Sequence, residues 1–184
     1  MSGATATGDE PILGTSRGIE AADGRRYAFA DHHCFACGAT NPSGMRLEIE
    51  LGEARARTEW IAGDDFVGWS DKIHGGIVAT LLDEVMAWAP SSFDSWAVTA
   101  EMSVRYRSPA SPGERLVAEG RVTDRRRRIY TVTGEVRTSD GRLIAEGSGR
   151  YLGATPSQKA ALKDRYGVTA ADGSTTPIAG TRGE

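Results

Sequence analysis

Apolar and polar positions alternate from Arg46 onward. Leu47, Ile49 and Leu51 fall on one side, and Arg46, Glu48 and Glu50 on the other, which predicts a half-buried strand over 46–51. Gly52-Glu53 makes a turn, and Ala54, Ala56, Thr58 and Trp60 then oppose Arg55, Arg57 and Glu59 in a second strand over 54–61. Residues 62–73 carry no clear period and read as loop. From Gly76 to Ala89 the period changes to that of a helix. Ile77, Val78, Leu81, Leu82, Val85, Met86 and Ala89 form a broad apolar face, and Pro90 ends it. The rest reads as strands. Over 97–107, Val98, Ala100, Met102, Val104 and Tyr106 share one face, and Thr99, Glu101, Ser103, Arg105 and Arg107 the other. Strands over 115–123, 129–138 and 142–151 follow, separated by turns at 108–113, 124–128 and 139–141. Residues 157–166 read as a short helix capped by Ser157 and closed by Gly167.

Two strands, one long apolar helix and four more antiparallel strands predict an α+β fold. A curved antiparallel sheet wrapped around the single helix would bury its wide apolar face. Residues 1–26 and 168–184 are rich in Gly, Ala, Thr and charge without a sustained period, and read as disordered tails. The expected organisation is an N-terminal tail (1–26), one domain (27–153), a short C-terminal helix (154–167) and a second tail (168–184).

The net charge of −3 argues against a general nucleic-acid binder, which needs a positive surface to replace counterions. No apolar run approaches a membrane span, and no basic-then-apolar leader opens the chain, so a cytoplasmic location is expected. Cys34 and Cys37 sit in HHCFACG. A zinc site needs about four ligands. Only His32 and His33 lie nearby in sequence, and adjacent residues rarely converge on one ion. A redox pair would open a helix after a strand, whereas Asn41-Pro42-Ser43-Gly44 follows here. A structural loop is the leading reading, and no metal is expected.

The sharpest chemistry lies at the helix. His74-Gly75-Gly76 opens it, and the first N–H groups of a helix lack internal partners and sit at its positive end. Such a place can hold a developing oxyanion, or it can be a plain glycine-rich turn. Asp83 lies far from the centre of the apolar face, on a stripe with the small residues Gly76, Thr80 and Ala87, so something packs close to it. Glu84 is the rival carboxylate or a salt-bridge partner for an arginine. Gly75 and Asp83 are eight residues apart, or about 12 Å along one helix. One thioester carbonyl cannot touch both, so joint action requires two subunits.

CFACGATNPSGMRL, FVGWSDKIHGGIVATLLDEVMAWA and VTAEMSVRYRSPASPGE together resemble the hotdog-fold acyl-CoA thioesterases of the PaaI-like (phenylacetyl-CoA thioesterase) type, over about residues 34–152. The resemblance implies hydrolysis of an acyl-CoA by a homodimer or homotetramer, with coenzyme A entering only as part of the substrate and no separate cofactor. It implies that Asp83 is the nucleophile or general base, Gly75 the N–H donor to the carbonyl, and His74 an orienting neighbour. Thr99 matches a hydroxyl position on the central strand that places the attacking water. Such enzymes often carry a polar residue before the His-Gly-Gly. The counterparts here are Val67 and Gly68, with Asp64 or Asp65 as substitutes. Gly76, beside the donor, is a candidate for binding the coenzyme A thioester. Arg127 and Arg128, in the run 125–128, could grip coenzyme A phosphates or form a solvated turn. Arg105 and Arg107 are weaker candidates, and Trp69 and Trp88 are candidates for the acyl pocket, with a core role favoured for Trp88. A non-catalytic acyl-CoA-binding protein and an acyl-thioester dehydratase or hydratase are the alternatives.

Overall fold

In the computed structural model the described residues are 31–93 and 95–166, with the backbone of four short strands outside them. Those strands are β1 (Gly14–Thr15), β2 (Gly18–Glu20), β3 (Arg26–Ala28) and β10 (Thr169–Ala170). The expected tails at 1–26 and 168–184 otherwise lie outside the described residues.

The main sheet is built from β4 (Glu50–Gly52), β5 (Arg55–Ile61), β6 (Ala97–Tyr106), β7 (Arg115–Arg126), β8 (Ile129–Thr138) and β9 (Leu143–Gly153). Every pairing is antiparallel, and the order is β10-β3-β2-β1-β4-β5-β7-β8-β9-β6. The sheet curves around one helix, α1 (Gly75–Trp88), which packs against β5, β6, β7, β8 and β9. This is the hotdog arrangement expected from the sequence. Val78, Leu81, Leu82, Val85 and Met86 are fully enclosed by the sheet, and each such burial is worth about 1.5–3 kcal/mol. The helix stops where predicted, with Pro90 in a 3-10 turn over Ala89–Phe93.

Four local expectations change. The alternation at 46–51 holds for burial, with Leu47, Ile49 and Leu51 inside, but only Glu50–Gly52 joins a ladder, and Arg46 has φ 54°. The supposed turn at 124–128 is shorter, because β7 continues to Arg126 and a two-residue turn at Arg127-Arg128 leads into β8. The final helix, α2 (Pro156–Arg165), is capped by Thr155 rather than Ser157: Thr155 and Gln158 bond each other's backbone N–H in a capping box. Finally, β6 is an edge strand of the single chain rather than a central one, and it breaks the predicted alternation. A register shift between Thr99 and Glu101 leaves Ala100 as a bulge. Thr99 therefore turns to α1, while Val98 points outward, 64% exposed.

The leading segment docks on β5. Thr58 Oγ1 donates to Glu48 O at 2.7 Å, and Trp60 Nε1 donates to Met45 O at 3.1 Å. Met45 N–H bonds Phe35 O and Leu47 N–H bonds Ala36 O, at 2.8 and 2.9 Å, so the chain closes a loop around the Asn41–Gly44 turn.

Candidate active site

Asp83 projects from the middle of α1, where the small-residue stripe faces β6 and β9. Thr99 Oγ1 donates to its Oδ1 at 2.6 Å, and Tyr151 Oη donates to the same atom at 3.1 Å. Among the described residues, nothing bonds Oδ2. The small-residue stripe predicted a partner subunit or a ligand beside Asp83; within the chain, the two hydroxyls of Thr99 and Tyr151 lie there. The stripe did not point to Tyr151, which is buried and lies opposite Thr99 on β9. The available signal was a lone tyrosine at an inward position of a strand with few large side chains. Burial, and then the Asp83 charge, push the Tyr151 hydroxyl well above its ordinary pKa, so it stays a donor.

The other candidate group lies at the start of α1. His74 is the N-cap residue, and its Nδ1 accepts the Gly76 N–H at 2.9 Å. The Gly76 amide is therefore used within the protein, which corrects its expected part in ligand binding. The Gly75 N–H has no acceptor among the described residues. Tyr106 donates to Gly75 O at 2.8 Å and holds the turn. A groove of about 310 Å³ opens here, lined by Ile73, Gly75, Val78, Tyr106 and Ile144 among others. Gly68 packs tightly on the next turn: a Cβ there would lie 3.1 Å from His74 Cα, so a polar side chain at this position would have to shift its neighbour by a few tenths of an ångström. Val67 pairs with Ile73 across the same narrow loop. Asp64 and Asp65 are exposed in a 3-10 turn. Trp69 is 89% exposed.

Glu84 pairs with no arginine among the described residues, contrary to one expectation. Trp88 Nε1 donates to its Oε1 at 2.9 Å, so this half-buried indole is bound into a polar contact. The Cys37 thiol also bonds Glu84, and burial pushes the Glu84 carboxyl above its usual range. Cys34 is held near pKa 5, chiefly by the Cys37 thiol, while Cys37 is pushed up.

The Arg125–Arg128 run is largely occupied. The Arg125 guanidinium lies over the Phe93 ring at 5.1 Å, and Arg126 pairs with Asp124 at 3.2 Å. Arg128 Nη1 donates to Gly153 O at 2.9 Å, closing the hairpin onto β9, which makes it a structural residue. Arg127 is exposed in the turn at φ 56° and has no partner among the described residues. Arg107 pairs with Glu146, and Arg105 is exposed on the outer face of the sheet. No helix among the described residues is long and apolar enough to cross a membrane.

The thioesterase superfamily profile matches residues 71–145, which span α1, β6, β7, β8 and the start of β9. A curated protein of Archaeoglobus fulgidus, provisionally named an esterase, is 32% identical over 101 residues, covering 55% of this chain and 66% of that protein. The chain thus spans just under two thirds of that relative's length. The E. coli PaaI protein from the phenylacetic acid degradation operon superposes with TM-score 0.57 at 18% identity, covering 60% of this chain and 81% of that one. A Streptococcus mutans protein solved bound to acetyl CoA gives TM-score 0.56 at 19% identity, covering 59% and 88%. The two structures share the fold of this chain.

Proposed function

From the match of residues 71–145 to the thioesterase superfamily profile, we propose that this protein hydrolyses an acyl-CoA to the free acid and coenzyme A. The observation that carries the reading is the state of Asp83: one carboxylate oxygen is fixed by two hydroxyls and the other is unengaged. Bonds from Thr99 and Tyr151 orient the carboxylate. Oδ2 is then the atom that attacks the thioester carbonyl or takes a proton from water. Thr99 acts through Asp83 rather than by placing the water itself.

The Gly75 N–H, unpaired at the positive end of α1, would receive the oxyanion as the carbonyl becomes tetrahedral. His74 presents that amide by capping the next one. Asp83 lies too far along the same helix to share the substrate with Gly75, so each site joins Gly75 of one protomer to Asp83 of its partner. A homodimer, alone or paired into a tetramer, is the working unit. No separate cofactor enters this chemistry. The solved relative bound to acetyl CoA supports coenzyme A as the carrier, and Arg127 is the cation free to meet its phosphates. Such a substrate suits the cytoplasmic location expected from the sequence.

Thiol release from a panel of acyl-CoAs tests the reading. Asp83→Asn should lower turnover by about 100-fold or more with folding intact. Full turnover in the mutant would move the chemistry away from Asp83. Acyl-CoA bound but never cleaved by the wild type would leave a binding protein on this fold.

A further inference from the structure

Cys34, Cys37 and Glu84 have no part in that chemistry, yet they are built into one cluster. One sulfur from each cysteine and one Glu84 carboxylate oxygen lie within 4.8 Å of one another. Two come from a loop and one from the buried helix, a convergence that spacing along the chain does not show.

The loop is shaped to present sulfur. Gly38 N–H donates to Cys34 O at 3.0 Å and Thr40 N–H to His32 O at 3.2 Å, which folds the segment into a tight turn around the two cysteines. A Cβ on Gly38 would lie 2.4 Å from Cys34 N and 2.5 Å from His32 O. On the other side, Glu84 is half-buried, and the Trp88 indole N–H donates to it at 2.9 Å. Among the described residues no lysine or arginine balances it. A partly buried carboxyl facing two sulfurs is accommodated either by keeping its proton or by a cation held between the three groups.

We propose that Cys34, Cys37 and Glu84 are three ligands of a structural zinc ion, with water completing a tetrahedron. Zinc–sulfur bonds of about 2.3 Å and zinc–oxygen bonds of about 2.0–2.2 Å place tetrahedral ligand atoms roughly 3.3–3.8 Å apart, inside the observed spread. Two thiolates select zinc over magnesium or calcium, and the single carboxylate is an ordinary third donor. On loading, the ligands lose any protons they carry to solvent, and no electron is transferred. The ion would pin the Cys34 loop to α1 one residue from Asp83, making the cluster a positioning device rather than part of the reaction.

The full chain, purified under a non-thiol reductant, is analysed for metal by mass spectrometry. It is then stripped and titrated with cobalt as a spectroscopic probe. About one zinc per chain is expected, with cobalt giving thiolate-to-metal charge-transfer bands and the strong visible bands of a tetrahedral site. Cys37→Ser should weaken the charge-transfer bands, and Glu84→Gln should keep them while lowering cobalt affinity about 10-fold or more. Should a variant fail to fold, the wild-type cobalt spectrum decides alone, because its intensity counts the thiolates. Reduced wild type that retains no zinc after equilibration with excess metal overturns the proposal. So does cobalt bound without thiolate bands.

Discussion

At the scale of single residues, Asp83 is defined by its neighbours on the sheet. Tyr151 donates to the oxygen that Thr99 also holds, and a hydrogen bond to a charged group is worth about 1.5–3 kcal/mol. Tyr151→Phe should therefore lower kcat on acyl-CoA by about 10- to 100-fold while KM stays near its original value. A loss confined to KM would place Tyr151 in substrate binding instead. Helical spacing made Asp83 legible, because a mid-helix carboxylate among Gly76, Thr80 and Ala87 stands out. Tyr151 was not legible, since 68 residues separate it from Asp83 and only the sheet brings them together. Glu84 was misread for a related reason. Its partners lie on a loop whose path over α1 depends on docking with β5.

At the scale of elements, the periods of the sequence located α1 and the strands of the main sheet to within a few residues. They failed where one inserted residue changed the phase. The bulge at Ala100 exchanges the faces of Val98 and Thr99, and strict alternation cannot show which strand takes an extra residue. The seat of α1 depends on another detail. Gly120 on β7 lies directly under the helix backbone, and a Cβ there would fall 2.6 Å from Val85 O and 2.8 Å from Met86 N. Gly120→Ala must push α1 off the sheet. Thermal or denaturant unfolding should show a loss of about 1–3 kcal/mol or more, despite the higher strand propensity of alanine. Unchanged stability would mean that the helix can shift without cost.

At the scale of the whole molecule, the sheet ends at β6, whose outer edge has no neighbour among the described residues. The same strand carries Thr99 and Tyr106, which hold Asp83 and Gly75. A site shared between two copies has a direct test. Gly75 is the first residue of α1, where proline is tolerated, and His74 already has the extended ψ of 135° that precedes proline well. Gly75→Pro thus removes one N–H with little disturbance, and should be inactive on acyl-CoA, as should Asp83→Asn. Co-expressed, the two variants should regain activity, because one site in each mixed dimer holds an intact pair. Mixed dimers without activity would place both groups in separate roles.

The Cys34–Cys37–Glu84 contact also has a consequence for descent. The three ligand atoms would share one ion, so replacing one leaves the other two an incomplete site. Glu84 adjoins Asp83 on a helix that cannot rotate without carrying the catalytic carboxylate with it. Lineages of this fold should therefore gain or lose the three side chains together, and a chain caught with only two would be the rare, short-lived intermediate.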